Sequence, residues 1–321
     1  MPVWLVGAGP HAQEYAKVLS SLGVDFDVIG RSSHSAKTFE TNTGKKVVTG
    51  GLINALQSHK APEQAIVAVS FEQLASTAIA LIQAGTRRIL LEKPGGISID
   101  ELEQVSKAAK GRAQVMIAYS RRFYASVTGA RKLIEEDGGP VSCNFEFTEW
   151  AHTIEPMPLP SEVKNAWVIA NSSHVMDLAF HLCGFPKEWK SWHSGKMTWH
   201  AASARFVGAG VTDRGVMFSY HADWEAPGRW AVEVLTRKRR FLFKPLEQLQ
   251  VTLLASTAVS FVAIEDSLDK SFKPGLYKET CAFLSDDDSL FCNIDNQLDN
   301  ARVYSEMAGY RLGGYPASYK F

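Results

Sequence analysis

A glycine pair close to the amino terminus constrains the fold more than any other feature of the chain. An apolar run over residues 2–6 leads into Gly7, Gly9 and Ala12 at the spacing G-x-G-x-x-A, and a helical pattern follows over residues 13–22. In a dinucleotide-binding βαβ unit, the first glycine permits a tight turn and the second lets a pyrophosphate approach the backbone. A small third residue lets helix and strand pack closely. The sequence therefore predicts a dinucleotide site at the start of the chain, with the helix amino terminus at the phosphates.

The turn after the second strand indicates which cofactor binds. The second strand is predicted over residues 26–29, and Gly30, Arg31 and Ser32 follow it. An NAD site normally carries an acidic residue here for the ribose hydroxyls, whereas an NADP site carries a cation and small polar residues for the 2′-phosphate. Gly30 removes the acid, and Arg31 supplies a planar guanidinium suited to phosphate. We expect NADP rather than NAD; the alternative is that Arg31 is only a surface residue of this loop.

Strand and helix patterns alternate along the first third of the chain. Strands are predicted over residues 65–69, 88–91 and 114–118, and helices over residues 72–84 and 98–109. Such alternation is typical of a parallel sheet with helices on both faces. We predict an α/β protein whose amino-terminal domain, residues 1–120, is a doubly wound Rossmann sheet.

The pattern changes after residue 119. Helices are predicted over residues 125–136 and 171–182, a strand over residues 141–149 and a proline-containing loop over residues 151–163. Strand-like runs then follow one another over residues 204–211, 216–224, 230–235 and 241–244, and helices close the chain over residues 276–284 and 296–307. Strands that follow strands favour an antiparallel sheet. We predict that residues 121–321 form a substrate-binding and oligomerisation α/β domain with an open, mainly antiparallel sheet.

The strand over residues 88–91 ends in a lysine. Glu92, Lys93 and Pro94 follow it directly, and proline prevents the strand from continuing. Ligands of open α/β sheets bind in the crevice at the carboxyl ends of the strands. Lys93 is therefore predicted to deliver a cation to that crevice; the alternative is a solvated Glu-Lys pair at a strand end.

Three polar residues share one face of the helix predicted over residues 171–182. His174, Asp177 and His181 are spaced by three and four residues, which makes them neighbours on a helix surface. They could form a hydrogen-bonded polar face, a metal site, or an acid/base group in which His181 moves a proton and Asp177 orients it or contacts the substrate.

Taken together, these motifs resemble those of the Gfo/Idh/MocA oxidoreductases, a family that includes glucose–fructose oxidoreductases and inositol dehydrogenases. The order and approximate spacing of four motifs carry the resemblance: Gly7-x-Gly9-x-x-Ala12, Glu92-Lys93-Pro94, Tyr119-Ser120-Arg121-Arg122-Phe123 and Asp177-x-x-x-His181. The resemblance implies a Rossmann domain followed by an α/β domain with an open antiparallel sheet. It also implies a cis Lys93–Pro94 peptide. It argues against a metal site formed by His174, Asp177 and His181.

The resemblance implies a role for each group of site residues. The catalytic residues would be Lys93, Asp177 and His181. The cofactor-binding residues would be Gly7, Gly9, Pro10, His11, Ala12, Arg31, Ser32, Ser70, Glu92 and Lys93. Candidate substrate contacts are Tyr119, Arg122, Trp167, Asn171 and His174. If Arg122 faces the pocket, a substrate with a carboxylate or phosphate becomes plausible. No metal is expected.

The implied reaction is hydride transfer between the nicotinamide and a carbinol or ketone carbon of a sugar, cyclitol or nucleotide-sugar. His181 would exchange the hydroxyl proton, and Lys93 would stabilise charge on the same oxygen. Two alternatives are a catalytically silent NADP-binding regulator and an eliminase or hydrolase of glycosides that uses the cofactor as a redox relay. The chain differs from many members at Ser120, at residues 171–174 and at Ala179, near the expected substrate. The substrate, the physiological direction and the size of the oligomer are therefore not predicted.

Composition excludes several classes of partner. Lys+Arg and Asp+Glu number 34 each, so neither nucleic acid nor a membrane surface is expected as a partner. The basic run over residues 237–240 is predicted to be a hairpin turn. The four cysteines are scattered without a CxxC pair, which is typical of a reducing compartment. With no signal peptide or bilayer-length apolar run, a cytoplasmic protein is expected. An uncovered antiparallel sheet and the family resemblance both favour a homodimer or homotetramer.

Overall fold

The chain forms two compact units in a computed structural model that describes residues 2–310. The first unit contains residues 2–120 and 268–299, and the second contains residues 121–267 and 300–310. The sequence-based division placed all residues after 120 in the second domain, up to residue 321. The segment 268–299 instead packs with the first unit, and residues 311–321 lie outside the described residues.

Residues 2–120 alternate strand and helix. The strands are β1 (Val3–Val6), β2 (Phe26–Ile29), β3 (Val47–Val48), β4 (Gln64–Val67), β5 (Arg88–Glu92) and β6 (Gln114–Ala118). The helices are α1 (Pro10–Ser21), α2 (Ser33–Thr43), α3 (Gly51–Ser58), α4 (Leu74–Gln83) and α5 (Ile99–Ala109), and a 3₁₀ turn lies at Phe71–Gln73. Ser98 caps α5 by accepting from the Glu101 amide at 3.2 Å, and the Glu101 carboxylate accepts from the Ile97 amide at 2.8 Å.

Residues 121–267 begin with helices and continue with strands. The helices are α6 (Ala125–Glu136), α7 (Ala151–Ile154), α8 (Ser161–Asn165) and α9 (Ser173–Cys183), with a 3₁₀ turn at Ser120–Phe123 and a π turn at Val168–Ser172. The strands are β7 (Ser142–Glu146), β8 (Pro186–Ser194), β9 (Arg205–Thr212), β10 (Met217–Asp223), β11 (Ala231–Leu235), β12 (Arg239–Phe243), β13 (Gln250–Leu253) and β14 (Ser260–Phe261). The end of the chain adds α10 (Ser267–Ser271), α11 (Leu276–Leu284), β15 (Cys292–Asn293) and α12 (Ile294–Met307).

The first unit is a Rossmann-type sheet. Among the described residues its strand order is β15-β6-β5-β4-β1-β2-β3, and every pair is parallel except β15 with β6. Helix α11 joins this unit because its apolar face is buried there: Leu276 and Phe283 are fully buried in the same core as Leu5 and Tyr15. Arg88 of β5 adds ion pairs to the loop after α11, to Asp286 at 2.8 Å and Asp288 at 2.9 Å.

The second unit is a mainly antiparallel sheet with helix α9 on its apolar face. In the described part of the chain the strand order is β14-β13-β12-β11-β7-β10-β9-β8, and only the β7–β10 pair is parallel. Phe180 of α9 packs edge-on against Phe145 and Phe218 of the sheet, with ring centroids 5.4 and 5.1 Å apart. The sheet therefore holds α9 through its apolar side. The predicted fold class is confirmed in both units.

Local predictions differ from the structure in several places. Helices α2, α3 and α10 and strands β3, β13, β14 and β15 were not predicted. The segment predicted as a loop over residues 151–163 contains helix α7 and the start of α8. Helix α9 begins two residues later than predicted, after the π turn, and β8 was not predicted because charged and polar residues dominate its exposed face. The basic run does form a hairpin turn, because Leu235 and Arg240 are paired across it. No helix within residues 2–310 is both long enough and apolar enough to cross a bilayer.

Candidate active site

A cleft of about 420 Å³ lies at the carboxyl ends of β1, β2 and β4 in the first unit. Seven of the predicted cofactor residues line it: Gly7, Gly9, Pro10, His11, Arg31, Ser32 and Ser70. Ala12 is fully buried on α1, where it packs into the core. Glu92 and Lys93 are not among the described residues that line the cleft.

The glycines of the first turn are required by backbone geometry. Gly7 has a φ of +127°, and a Cβ atom there would approach the Ala68 carbonyl oxygen to 2.2 Å. No other residue fits such a position. A Cβ at Gly9 would meet no atom within 4 Å, so its side is open, and Gly9 is also the cap residue of α1. A dinucleotide fits this cleft, because the open backbone and the amino terminus of α1 suit a pyrophosphate.

The end of β2 is closed to an acidic side chain at one position. A Cβ at Gly30 would lie 2.6 Å from Cγ1 of Val47 in β3, so a side chain there would require the Val47 side chain to move. Arg31 is exposed and lines the cleft. Ser32 caps α2 by accepting from the Ser35 amide at 3.2 Å. The cleft thus presents a cation and hydroxyls where an NAD site would present a carboxylate.

Glu92 has a structural partner that the sequence did not indicate. Its Oε1 lies 2.5 Å from His11 Nε2 and accepts a hydrogen bond from the Tyr15 hydroxyl at 2.8 Å. Burial alone would raise the pKa of Glu92, but His11, Tyr15 and Lys93 together lower it. His11 Nδ1 lies 2.9 Å from the Lys273 ammonium. Glu92 therefore orients His11, which lines the cleft, and does not line it itself.

Lys93 leaves the sheet directly after β5. The Lys93–Pro94 peptide is cis, as the family resemblance implied. The Lys93 ammonium lies 5.0 Å from the centre of the Phe71 ring. The Pro94 carbonyl accepts from Gln297 Nε2 at 2.9 Å, and Gln297 Oε1 accepts from the Tyr119 hydroxyl at 3.0 Å. Tyr119 is fully buried, so it presents no surface to a substrate and instead supports this turn.

In the second unit, Asp177 is bound by Arg122. Arg122 Nε donates to Oδ2 at 2.8 Å and Nη2 donates to Oδ1 at 2.5 Å, so the pair is bidentate. Burial raises the pKa of Asp177, and the Arg122 guanidinium opposes that rise. Both carboxylate oxygens are used by Arg122. The sequence left Arg122 available for an anionic substrate, whereas the structure uses its guanidinium for Asp177.

His181 lies one turn after Asp177 on α9 and makes no hydrogen bond with it in the described structure. Its Nε2 atom is buried, and no hydrogen-bond partner for it is found among the described residues. Burial lowers the pKa of His181 well below its usual value, and the positive charges of Arg122, Arg131 and Arg214 lower it further. The ring is therefore neutral at neutral pH.

A buried glutamate organises the start of α9. Glu149 accepts from Asn171 Nδ2 at 3.0 Å and Ser172 Oγ at 2.8 Å through one oxygen, and from Arg229 Nη1 at 3.0 Å through the other. Burial raises the pKa of Glu149, and Ser172, Arg229 and Asn171 oppose the rise. Asn171 is thus tied to Glu149. Sequence reasoning did not single out Glu149 or Arg229, and no motif marks them.

An aromatic and cationic cluster borders α9. The Trp230 ring lies 6.0 Å from the His174 ring and carries two guanidinium groups, Arg121 at 4.8 Å and Arg229 at 4.3 Å. Trp167 is nearly buried and packs edge-on against a second tryptophan. Across residues 2–310, no group of three or more His, Cys, Asp or Glu side chains is placed to hold a metal ion.

Comparison with known proteins finds a family match in the amino-terminal part of the chain. Residues 1–119 match the Gfo/Idh/MocA family, described as an oxidoreductase family with an NAD-binding Rossmann fold. The predicted resemblance is confirmed over these residues. The same match confirms that the chain binds a nicotinamide cofactor, because the family is described as NAD-binding. No curated protein sequence matches the chain significantly.

Solved structures share the fold over the whole chain. A levoglucosan dehydrogenase in complex with NADH and L-sorbose has a TM-score of 0.76 at 17% identity, covering 96% of this chain and 95% of its own. UDP-N-acetylglucosamine 3-dehydrogenase from Acidithiobacillus ferrooxidans gives 0.73 at 14%, covering 95% and 96%. A putative NADPH-dependent oxidoreductase from Desulfitobacterium hafniense gives 0.77 at 15%, covering 95% and 93%. At these identities the likeness establishes the fold alone.

Proposed function

We propose that this protein is an NADP(H)-dependent oxidoreductase that transfers a hydride between the nicotinamide and a carbinol or ketone carbon of a carbohydrate. The observation that carries the cofactor choice is the end of β2, where Gly30 supplies no carboxylate, a Cβ there would clash with the Val47 side chain, and Arg31 lines the cleft. A guanidinium binds a 2′-phosphate through two parallel N–H groups. Residues Gly7, Gly9 and Pro10 would hold the pyrophosphate, and the cofactor supplies the hydride chemistry when bound.

His181 is the group we propose for proton transfer. Because its pKa is lowered, the neutral ring accepts a proton from a substrate hydroxyl during oxidation and returns it during reduction. Its buried, unpaired Nε2 supports this role, since an unpaired buried acceptor costs about 1–3 kcal/mol that a substrate hydroxyl would recover. Lys93 is proposed to stabilise negative charge on the reacting oxygen.

We propose that Asp177 positions this machinery through Arg122. With both carboxylate oxygens bound by Arg122, Asp177 fixes that guanidinium on α9, and Arg122 in turn lowers the pKa of His181. Asp177 thus acts on the proton-transfer residue by electrostatics rather than by a direct hydrogen bond.

We propose a carbohydrate substrate because residues 1–119 match the Gfo/Idh/MocA family, and because the proteins with the same fold include a levoglucosan dehydrogenase and a UDP-N-acetylglucosamine 3-dehydrogenase. The direct test is to supply purified protein with NADP⁺ and a panel of sugars, sugar acids and sugar phosphates, and to follow reduced nicotinamide by absorbance. Net reduction with one of them supports the proposal. Tight NADP(H) binding without turnover of any substrate would point to the regulatory alternative.

We also propose a homo-oligomer that pairs through the outer face of the second sheet. Three large apolar side chains on neighbouring strands are exposed there: Trp192 on β8, Val207 on β9 and Met217 on β10. Trp192 and Val207 are register partners, so they form one patch. Exposed apolar patches mark association surfaces, and symmetric pairing would cover this one. Light scattering of wild type and Val207→Glu tests it: a wild-type monomer would refute it. We also propose that the protein is located in the cytoplasm.

A further inference from the structure

Arg121 differs from two neighbouring arginines, Arg122 and Arg229. Arg122 is paired with Asp177, and Arg229 with Glu149. Arg121 has no ion pair and no hydrogen bond from its guanidinium to any residue between 2 and 310, and its Nε is buried without a partner. The carboxylates bound to the neighbouring arginines are thus already used, and among residues 2–310 no carboxylate is bound to Arg121.

The Arg121 guanidinium is nevertheless held in place. It lies 4.8 Å from the centre of the Trp230 ring and 5.9 Å from that of Tyr124. A cation over an aromatic face is stabilised by the ring quadrupole and keeps its N–H edge free for a ligand. Burial, and then the charge of Arg229, lower the pKa of Arg121, while Tyr124, Glu247 and Glu149 oppose this. An anion bound here would relieve the repulsion between the two guanidinium groups.

Arg121 is also adjacent to the residues proposed for the reaction. It precedes Arg122 in the same 3₁₀ turn, and Arg122 binds Asp177. The Trp230 ring also lies 6.0 Å from the ring of His174, which lies one turn before Asp177 on α9. A substrate whose reacting carbon lies at α9 would therefore place a substituent near Trp230.

We propose that Arg121, resting on Trp230, binds an anionic substituent of the substrate, either a carboxylate or a phosphate. This inference rests on the proposed function and deepens it: the preferred substrates are acidic sugars, meaning sugar acids or sugar phosphates, rather than neutral ones. Arg121 recognises the substrate and takes no part in hydride or proton transfer. The guanidinium provides two parallel N–H donors that match either anion.

The test measures binding and turnover separately, with three related ligands: D-glucuronate, D-glucose 6-phosphate and D-glucose. Calorimetry on the NADP(H)-loaded protein should show at least one acidic ligand binding about 10- to 100-fold more tightly than glucose, the value of a charged hydrogen bond. The two acidic ligands distinguish a carboxylate site from a phosphate site.

Two variants of Arg121 and one control complete the experiment. Arg121→Gln should remove the preference for the acidic ligand, raising its KM by the same 10- to 100-fold with kcat and NADP(H) affinity nearly unchanged. Arg121→Lys keeps the charge without the planar fork and should retain part of the preference, so it remains informative if the Gln variant folds poorly. Arg237→Gln removes a positive charge from the exposed hairpin turn of the same unit and should change nothing.

Equal binding of acidic and neutral ligands, or a preference that survives in Arg121→Gln, would overturn the inference even if sugars are oxidised. If acidic ligands bind in an Arg121-dependent way but no sugar is turned over with NADP(H), the anion site stands and the proposed reaction is the part that fails.

Discussion

The cofactor cleft of the first unit and the polar cluster around α9 of the second unit are built in opposite ways. The cleft is made of backbone: glycines without side chains and the amino terminus of α1. The cluster is made of side chains, and its partners come from the turn at Ser120–Phe123, from α9 and from the chain beside β11. Backbone sites are encoded by short motifs, whereas side-chain networks depend on which distant segments meet. The first kind is therefore readable from sequence, and the second is not.

The two units also bury charge differently. In the first unit, burial raises the pKa of Glu279 well above its usual value, and the nearby charge of Glu92 adds to this. In the second unit the buried titratable groups include His181 and His200, whose pKa values are both lowered by burial. Protonation at low pH therefore favours the folded state through Glu279 and disfavours it through His181 and His200, although the raised pKa values of Glu149 and Asp177 oppose the two histidines in the second unit. Four experiments can break or sharpen this comparison.

The largest effect is expected from the proposed proton-transfer residue. His181→Ala should lower single-turnover hydride transfer by about two to four decades while NADP(H) affinity stays nearly constant, because the cofactor cleft belongs to the first unit. His221→Ala, an exposed histidine on β10, is the control and should be silent. If activity per folded molecule is unchanged in His181→Ala, the residue only packs, and the chemistry lies elsewhere.

The second largest effect is expected from breaking the buried Arg122–Asp177 ion pair of the second unit. Arg122→Gln leaves Asp177 charged and unpaired in the interior, which should cost about 3–5 kcal/mol of unfolding free energy. Arg240→Gln breaks an exposed pair with Glu233 in the same unit and should cost less than about 1 kcal/mol. Denaturant unfolding of both variants provides the comparison. Equal losses would mean that the Arg122–Asp177 pair is solvated in solution.

The third largest effect is expected in the pH dependence of the stability of the second unit. The pKa of His200 is lowered to about 4, and its ring binds the Ser203 carbonyl at 2.6 Å and the Tyr310 hydroxyl at 2.7 Å. Below the unfolded pKa of about 6.5 the unfolded chain binds a proton that the folded chain does not, so stability falls as the pH drops from 6.5 to 4. The loss reaches roughly 3 kcal/mol.

His200→Gln tests this assignment. The variant should be less stable at pH 7 but should lose less stability than wild type on acidification, whereas His221→Gln should follow the wild-type curve. Parallel pH profiles for wild type and His200→Gln would show that His200 titrates normally in the folded protein.

The smallest effect concerns the cleft of the first unit. Arg31→Ala should weaken NADPH binding by about one to two decades, or 1.5–3 kcal/mol, because one charged hydrogen-bonding group to the 2′-phosphate is lost. NADH, which lacks that phosphate, should bind as before. Lys37→Ala, an exposed cation on α2, is the matched control. Equal weakening of both cofactors would assign Arg31 to the shared part of the dinucleotide and withdraw the NADP proposal.

Prediction succeeded where one residue type is required by local geometry. Gly7 is needed by its positive φ and by the close Ala68 carbonyl, and Ser98 is needed by the open amide at the start of α5. Prediction from the sequence was incomplete where the partner of a charged side chain comes from a distant part of the chain. Arg122 and Arg121 are neighbours of the same type, yet one is bound by Asp177 and the other rests on Trp230. Nothing in their local sequence distinguishes them.

Local sequence was enough to predict the alternating pattern of a Rossmann sheet in the first unit, the dinucleotide turn, the lysine at the end of β5 and the polar face of α9. Each of these follows from backbone sterics or from a repeat of two or 3.6 residues. Only the tertiary structure decided that residues 268–299 join the first unit, that Glu92 orients His11 and that Glu149 organises the start of α9. Those outcomes depend on burial and on partners far away along the chain, and no local pattern contains that information.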